Sequence, residues 1–173
     1  NTNKRSVTLE LATPSGLDAW KRLVAWADVV IDGSGFNVLD GLSAGYDATS
    51  TDQTVWCSIT AFGLTGPWRD RRSNDLVSMA LGGIAMMNGY DDHSLPPIRP
   101  DGDHSLFMGG EYAVMGIMAA LRQRRESGTG QVIDVSMHEA IAATTEGAYM
   151  NWEFMARNPE RKTGRHAGTP EEW

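Results

Sequence analysis

From Ser105 onward the apolar positions Leu106, Phe107, Val114, Ile117, Met118 and Leu121 recur at roughly helical spacing, while Gly109, Gly110 and Gly116 leave a thin strip for close packing. The pattern predicts a buried or interface helix. Arg122, Arg124 and Arg125 fall in its last turn, where cations suit the negative end of the helix dipole, and Gly128 is placed to terminate it. Gln131 to Val135 then alternates as a strand, and Ser136 is a cap for a helix running from Met137 towards Ala156.

Upstream, Ser6 to Leu11 alternates as a strand. Thr13 is a good helix cap with Pro14 at the first helical position, and Leu17, Trp20 and Val24 mark one face. Asp28 to Ile31 reads as the next strand, Val38 to Ala44 as a short helix, and Thr54 to Thr60 as a third strand rich in β-formers. Strands alternating with helices over short links imply a parallel sheet with right-handed crossovers. From Gly63 to Asp103 the pattern is irregular, with one helical stretch from Asp75 to Met87 broken by Gly82 and Gly83, and Pro96, Pro97 and Pro100 keep the following segment extended or turning. The expected fold class is α/β: a Rossmann-like parallel sheet with flanking helices, incomplete in this segment, followed by a long linker and helices. In that division residues 1–65 are part of the large domain, 66–104 form an irregular connection with one helix, and 105–173 supply a helix-turn-strand-helix region. The chain opens without Met close to a strand and lacks the usual first strand-helix unit, so a segment of a longer protein is expected.

Composition narrows the possibilities. The chain has 173 residues, of which 41% are apolar and 21% charged, enough for a core of one-domain size. Its apolar runs are too short for a membrane span, and no signal peptide is read. The lone Cys57 cannot build a disulfide framework and points to a reducing compartment, with cytoplasm as the default. A formal net charge of −7 argues against general nucleic-acid or anionic-membrane binding, so an anionic ligand would need a local basic patch. Arg69, Arg71 and Arg72 form one such cluster, which serves equally well as a solvated loop.

Most candidate chemistry has a plainer account. Gly33-Ser34-Gly35 follows a strand, but Val38 stands where a dinucleotide fingerprint needs its third glycine, so a tight turn explains it better. Neither nicotinamide binding nor nucleotide hydrolysis is supported. Asp91, Asp92, His93, Asp101, Asp103 and His104 crowd a proline-broken stretch without the spacing of a metal site. Within it Asp103 reads as a helix cap before an acid-base partner of His104. Cys57 lies inside a strand with no histidine placed to activate it, and Ser58, Ser136 and His138 form no recognisable hydrolase arrangement. The tryptophans at 20, 26, 56 and 68 read as core and interface filler.

Taken in order, several pieces resemble the family III CoA-transferases, which include formyl-CoA transferase, carnitine CoA-transferase and alpha-methylacyl-CoA racemase. They are Asn3-Lys4-Arg5-Ser6, Leu9, Thr13-Pro14-Ser15-Gly16, Ala27-Asp28-Val29-Val30, Ser58-Ile59-Thr60-Ala61-Phe62-Gly63, Thr65-Gly66-Pro67, Asp75-Leu76, Gly82-Gly83, and the run from Gly128 to Met137. The resemblance covers nearly the whole chain. It implies an enzyme that moves CoA between a small carboxylic acid and an acyl-CoA thioester, with CoA or acyl-CoA as substrate and with no metal and no NAD. It also implies interlinked dimers, hence a homodimer or fused tandem halves, while the acidic charge and short apolar runs speak for no nucleic-acid and no membrane partner.

The family nucleophile is an aspartate near the start of the long helix, ten residues before the glycine matched by Gly116. At that position this sequence has Leu106. Glu111 lies about 7.5 Å along the helix and roughly 140° around it, facing away. Asp103 is one turn back on nearly the same face, roughly 5 Å displaced, and is the remaining candidate for catalysis. For CoA the resemblance retains Leu9 beside the adenine pocket, Arg72 as a phosphate contact and Met137 at the opening of the last helix. Three polar contacts of the family fall instead on Ala12, Gly33 and Gly41. Two readings follow: a CoA-transferase whose nucleophile is displaced or supplied elsewhere, and a catalytically silent half that supports an active partner. The racemase alternative needs a histidine where Asn74 stands.

Overall fold

The computed structural model describes residues 2–145 and 147–163. Its elements are α1 (Pro14–Trp26), β1 (Val29–Asp32), α2 (Val38–Gly41), α3 (Tyr46–Thr49), β2 (Val55–Thr60), α4 (Asp75–Leu81), α5 (Ile84–Met87), α6 (His104–Ser127), β3 (Val132–Ser136), α7 (Met137–Ala143) and α8 (Ala148–Met155). The strands form a three-stranded sheet in the order β1-β2-β3. β1 and β2 are parallel, with Val29 opposite Val55 and Asp32 opposite Ser58. The expected α/β class with a parallel sheet and flanking helices is what the structure holds. Among the described residues no helix is long and apolar enough to cross a membrane.

The chain divides into two compact units, residues 1–58 with 115–134 and residues 59–114 with 135–173. The first is built on α1. The Thr13 hydroxyl accepts from Gly16 N at 3.2 Å and Pro14 opens the helix, as the sequence predicts. Buried Val24, Val30 and Trp56 form the core, with Trp20, Leu39 and Tyr46 packed against them. Trp20 and Tyr46 meet the Trp56 ring edge-on at 6.5 and 6.0 Å. Such aromatic pairs are worth about 0.5–1.5 kcal/mol each beyond their burial. Trp20 Nε1 donates to the Ala44 carbonyl at 2.8 Å, so the indole nitrogen is satisfied inside the core.

The Arg-rich helix end and the glycine turn complete this unit. Arg124 Nη2 lies 2.7 Å from Asp28 Oδ1, and its Nη1 donates to the Asp28 and Gln53 carbonyls at 3.1 Å each. One guanidinium thus ties the segments entering β1 and β2. Gly128 adopts φ +77 and its N–H closes on Arg124 O at 2.8 Å, ending α6 as expected. Gly130 N then donates to Asp52 O at 2.7 Å and Trp56 N to Gln131 O at 2.9 Å, bringing β3 alongside β2.

In the second unit, Met79, Ile84 and Ile141 are buried together with Met108 against them. Gly82 and Gly83 break the helical stretch between α4 and α5; Gly83 has φ +96, and a Cβ on Gly82 would fall 2.2 Å from Ile141 Cγ2. The break is therefore also a packing site. Ser136 caps α7, accepting from Glu139 N at 3.2 Å.

Three expectations give way. Ser6 to Leu11 forms no strand, and Leu11 already lies in a turn, because no neighbouring strand among the described residues offers the segment a ladder; alternation alone supplies none. The short helix from Val38 ends at Gly41, and a second turn, α3, follows. The helix expected from Met137 towards Ala156 is two helices. Its break begins where the Thr144 and Thr145 hydroxyls bond back to the carbonyls of Ile141 and Ala142 at 2.7 and 2.8 Å, a competition with the helical ladder that threonine sets up.

Candidate active site

The first turn of α6 is clasped from α4. Asn74 caps α4 by accepting from Val77 N at 3.0 Å, which sets Asp75 at the start of that helix. Asp75 Oδ1 accepts from both the backbone N and the hydroxyl of Ser105, each at 2.8 Å. Ser105 is 1% exposed, so this carboxylate satisfies a backbone donor that helix geometry leaves orphaned. The other oxygen, Oδ2, lies 3.2 Å from Arg99 Nε but is buried and lacks an aligned hydrogen bond; the contact is an ion pair. Arg99 Nη2 meanwhile donates to Gly102 O at 2.7 Å.

This clasp presents position 106 to the outside. The Asp103 carbonyl accepts from Leu106 N at 3.1 Å and Phe107 N at 3.2 Å, making Asp103 the residue that opens α6. Leu106 is 56% exposed and Asp103 is exposed. An apolar side chain on an accessible helix start does no packing work there, whereas a carboxylate one turn earlier is free to meet a ligand.

On the same unit, β2 runs out into a bend in which Thr60 Oγ1 accepts from Gly63 N at 2.9 Å, and His138 N donates to Ala61 O at 3.1 Å. The rings of Phe62, Trp68 and His138 gather, with centroids 5.5, 5.7 and 6.1 Å apart. The Arg71 guanidinium carbon sits 5.8 Å from the Trp68 centroid, a cation–π distance. His138 Nδ1 is buried without a hydrogen-bond partner. Met137 lies against α6: a Cβ on Gly109 would come within 3.0 Å of its Cγ. Gly109 is thus the close approach that lets Met137 sit one turn from Leu106.

Of the residues expected from the sequence, Asp103, Arg72 and Met137 fall in this unit, with Arg72 exposed in the loop after Arg71. Leu9 belongs to the other unit, half-buried in the segment before α1. The Asp75–Ser105 clasp and the aromatic trio escaped sequence reasoning. No spacing rule links positions 75 and 105, and Trp68 carried only the signal of a filler residue.

Two other candidates resolve plainly. The acidic loop commits its side chains to hydrogen bonds: Asp91 Oδ1 accepts from the distant Thr163 N at 2.5 Å, Asp92 Oδ1 from the Ser94 hydroxyl at 2.6 Å, and Asp101 Oδ1 from Gly102 N at 2.8 Å. Among the described residues no three His, Cys, Asp or Glu side chains are grouped to hold a metal. Cys57 is fully buried; burial first, and the Asp134 carboxylate second, push its thiol up to about 11. It is no nucleophile near neutral pH.

The model of CoA-transferase family III matches residues 1–171. The chain belongs to CoA-transferase family III. It is 30% identical over 92% of its length to the succinyl-CoA–D-citramalate CoA-transferase of Chloroflexus aurantiacus. It is 36% identical over 80% of its length to the succinyl-CoA–L-malate CoA-transferase beta subunit of the same organism. The chain spans 40% and 35% of those two proteins. A crystal structure of a CAIB/BAIF family protein from Brucella suis superposes with a TM-score of 0.87 at 32% identity, covering 92% of this chain and 42% of that one. The position that the resemblance gives to the family nucleophile is occupied here by Leu106.

Proposed function

We propose that this chain forms the CoA-handling body of a CoA-transferase that moves CoA between small carboxylic acids through acyl-CoA thioesters. The observation that carries the reading is the exposed first turn of α6, clasped by Asp75 and backed by Met137, at the place the family uses for its carboxylate. Asp103, which opens that turn, is the carboxylate proposed to react. A carboxylate oxygen attacks the thioester carbonyl of the donor and expels CoA thiolate, leaving a mixed anhydride. The thiolate then attacks the enzyme's own acyl carbon, releases the donor acid and leaves an enzyme–CoA thioester. The acceptor acid reverses the two steps. No oxidant or reductant is consumed, and one hard exchange becomes several easier ones.

Arg72 and Met137, with Leu9, are proposed as CoA contacts, Arg72 because guanidinium pairs well with phosphate oxygens. In this reading residues 1–65 belong to the Rossmann-like large domain, 66–104 connect, and 105–173 complete it. The two Chloroflexus relatives are named for succinyl-CoA and for citramalate or malate, which supports a dicarboxylic acid as substrate. One of them is named as a beta subunit, in keeping with an interlocked dimer or paired halves in the cytoplasm. Asn74 caps α4 with its side chain and is no proton acceptor, so the racemase alternative gains nothing.

Leu106 itself favours a second reading, a silent half that supports an active partner. The test is isotope exchange of succinate into succinyl-CoA by the intact protein. Loss of exchange by 1,000-fold or more in Asp103→Asn supports Asp103 as nucleophile; unchanged exchange in that variant assigns the chemistry to a partner half.

A further inference from the structure

Arg72 stands on a surface loop, yet the chain is pinned on both sides of it. Before it, the Arg71 N–H donates to the Trp68 carbonyl at 2.8 Å and closes a four-residue turn, while the Arg71 guanidinium lies 5.8 Å from the Trp68 ring centroid. After it, the Ser73 hydroxyl lies 2.9 Å from that of Ser78, a fully buried residue of α4. Arg72 itself is exposed, and among the described residues it joins no ion pair. Its guanidinium is open to a ligand while the backbone that carries it is held.

Trp68 is the larger of the two pins. Its ring meets Phe62 edge-on at 5.5 Å and His138 at 6.1 Å, and those two rings lie 5.7 Å apart, all within the range of favourable aromatic contact. His138 follows Met137 in the first turn of α7, and its N–H is fixed to the Ala61 carbonyl at 3.1 Å. Its buried Nδ1 has no hydrogen-bond partner, so the ring meets the loop as an aromatic surface and not through that nitrogen. Trp68 keeps 41% of its surface exposed, too open for a core residue. What its contacts do is fasten the Arg72 loop to the helix start that carries Met137.

We propose that Trp68 is a positioning residue for CoA binding: packed on Phe62 and His138 and covered by Arg71, it fixes the Arg72 backbone relative to Met137, so that the Arg72 guanidinium meets a CoA phosphate already oriented. This rests on the Arg72–phosphate contact proposed above. Preorganisation cuts the ordering lost on binding, so the effect of Trp68 must pass through Arg72. The test is a double-mutant cycle, read by calorimetry of CoA with the intact protein. Arg72→Ala is expected to weaken CoA about tenfold, as for a lost charge-assisted bond to phosphate. Trp68→Ala is expected to weaken it about fivefold, with no further loss when added to Arg72→Ala, and Trp68→Phe, which keeps an aromatic ring, recovers most of the affinity. Ser73→Ala loosens the other pin without touching the aromatic rings; it is expected to weaken CoA about threefold, again only while Arg72 is present. CoA affinity unchanged by Trp68→Ala, or a loss that persists in full beside Arg72→Ala, overturns the inference and leaves the Arg72 contact standing. If Trp68→Ala does not fold, an affinity unchanged by Ser73→Ala overturns it instead. Affinity unchanged by Arg72→Ala removes the phosphate contact and the inference with it, and a wild type that binds no CoA overturns the proposed function as well.

Discussion

Replacing Gly130 by alanine puts the turn before β3 to a direct test. An ideal Cβ there lies 2.1 Å from the Thr54 carbonyl oxygen, 2.4 Å from its carbon and 2.7 Å from the Gln53 carbonyl carbon. All three are backbone atoms, so no side-chain rotation relieves them. Ordinary contact begins near 3.4 Å, which requires the two segments to part by about 1.3 Å (3.4 minus 2.1). Such a shift breaks or stretches the bond from Gly130 N to Asp52 O, now 2.7 Å, and strains the one from Trp56 N to Gln131 O, now 2.9 Å. Overpacking costs about 1–3 kcal/mol, a lost buried backbone bond about 1–3, and alanine returns about 0.4–1 through the unfolded chain. The net expectation is roughly 2–5 kcal/mol, or a fall in Tm of roughly 5–15 °C for a chain of this size. Two other glycines are controls. Gly128→Ala has nothing within 4 Å but must adopt φ +77, for about 1–2 kcal/mol. Gly110→Ala also meets nothing and sits inside α6, where alanine gains up to about 1 kcal/mol. Thermal melts of the three variants read the order directly. A Gly130→Ala melt equal to wild type, or milder than Gly128→Ala, refutes the packing argument.

Asp75→Ala strands the buried Ser105 donors and is expected to cost about 2–3 kcal/mol in urea unfolding, whereas Asp75→Asn keeps an acceptor and costs about 1 kcal/mol. Gly82→Ala drives a Cβ to 2.2 Å from Ile141 Cγ2 and should lose about 1–3 kcal/mol. Trimming Ile141 to alanine in the same chain removes the clashing Cγ2 and should make the pair cheaper than the sum of the two single changes. Cys57 adds a pH dependence. Its folded thiol at about 11, against an ordinary 9.0, keeps a proton that the unfolded chain has released. Its contribution is therefore intact below about pH 9 and is lost as pH rises through 11, by about 2.7 kcal/mol at most. The difference between wild type and Cys57→Ala in unfolding free energy at pH 8 and pH 10.5 isolates it; a difference that does not change with pH contradicts the assignment.

Local signals carried much of the fold. Thr13 with Pro14, Ser136 before α7, Gly128 after α6 and the Gly82-Gly83 break each act within a few residues, so a single sequence displays them. What stayed hidden depends on partners far along the chain. Ser6 to Leu11 has a strand's alternation and no neighbour to pair with. The split between α7 and α8 turns on which way two threonine hydroxyls point. Asp75 and Ser105 meet because α4 and α6 are packed into one unit, and neither residue advertises the other. Position 106 was visible from the order of motifs, but its exposure, and the clasp that presents it, belong to tertiary structure.

The central question is whether a carboxylate at the opening of α6 takes up CoA. Incubating the intact protein with succinyl-CoA, then mapping its peptides by mass spectrometry under acid quench, reads this directly. A CoA thioester on the peptide containing Asp103, absent from Asp103→Asn, is the predicted result. A CoA adduct found only outside this chain's residues, with that variant equally labelled, would contradict it.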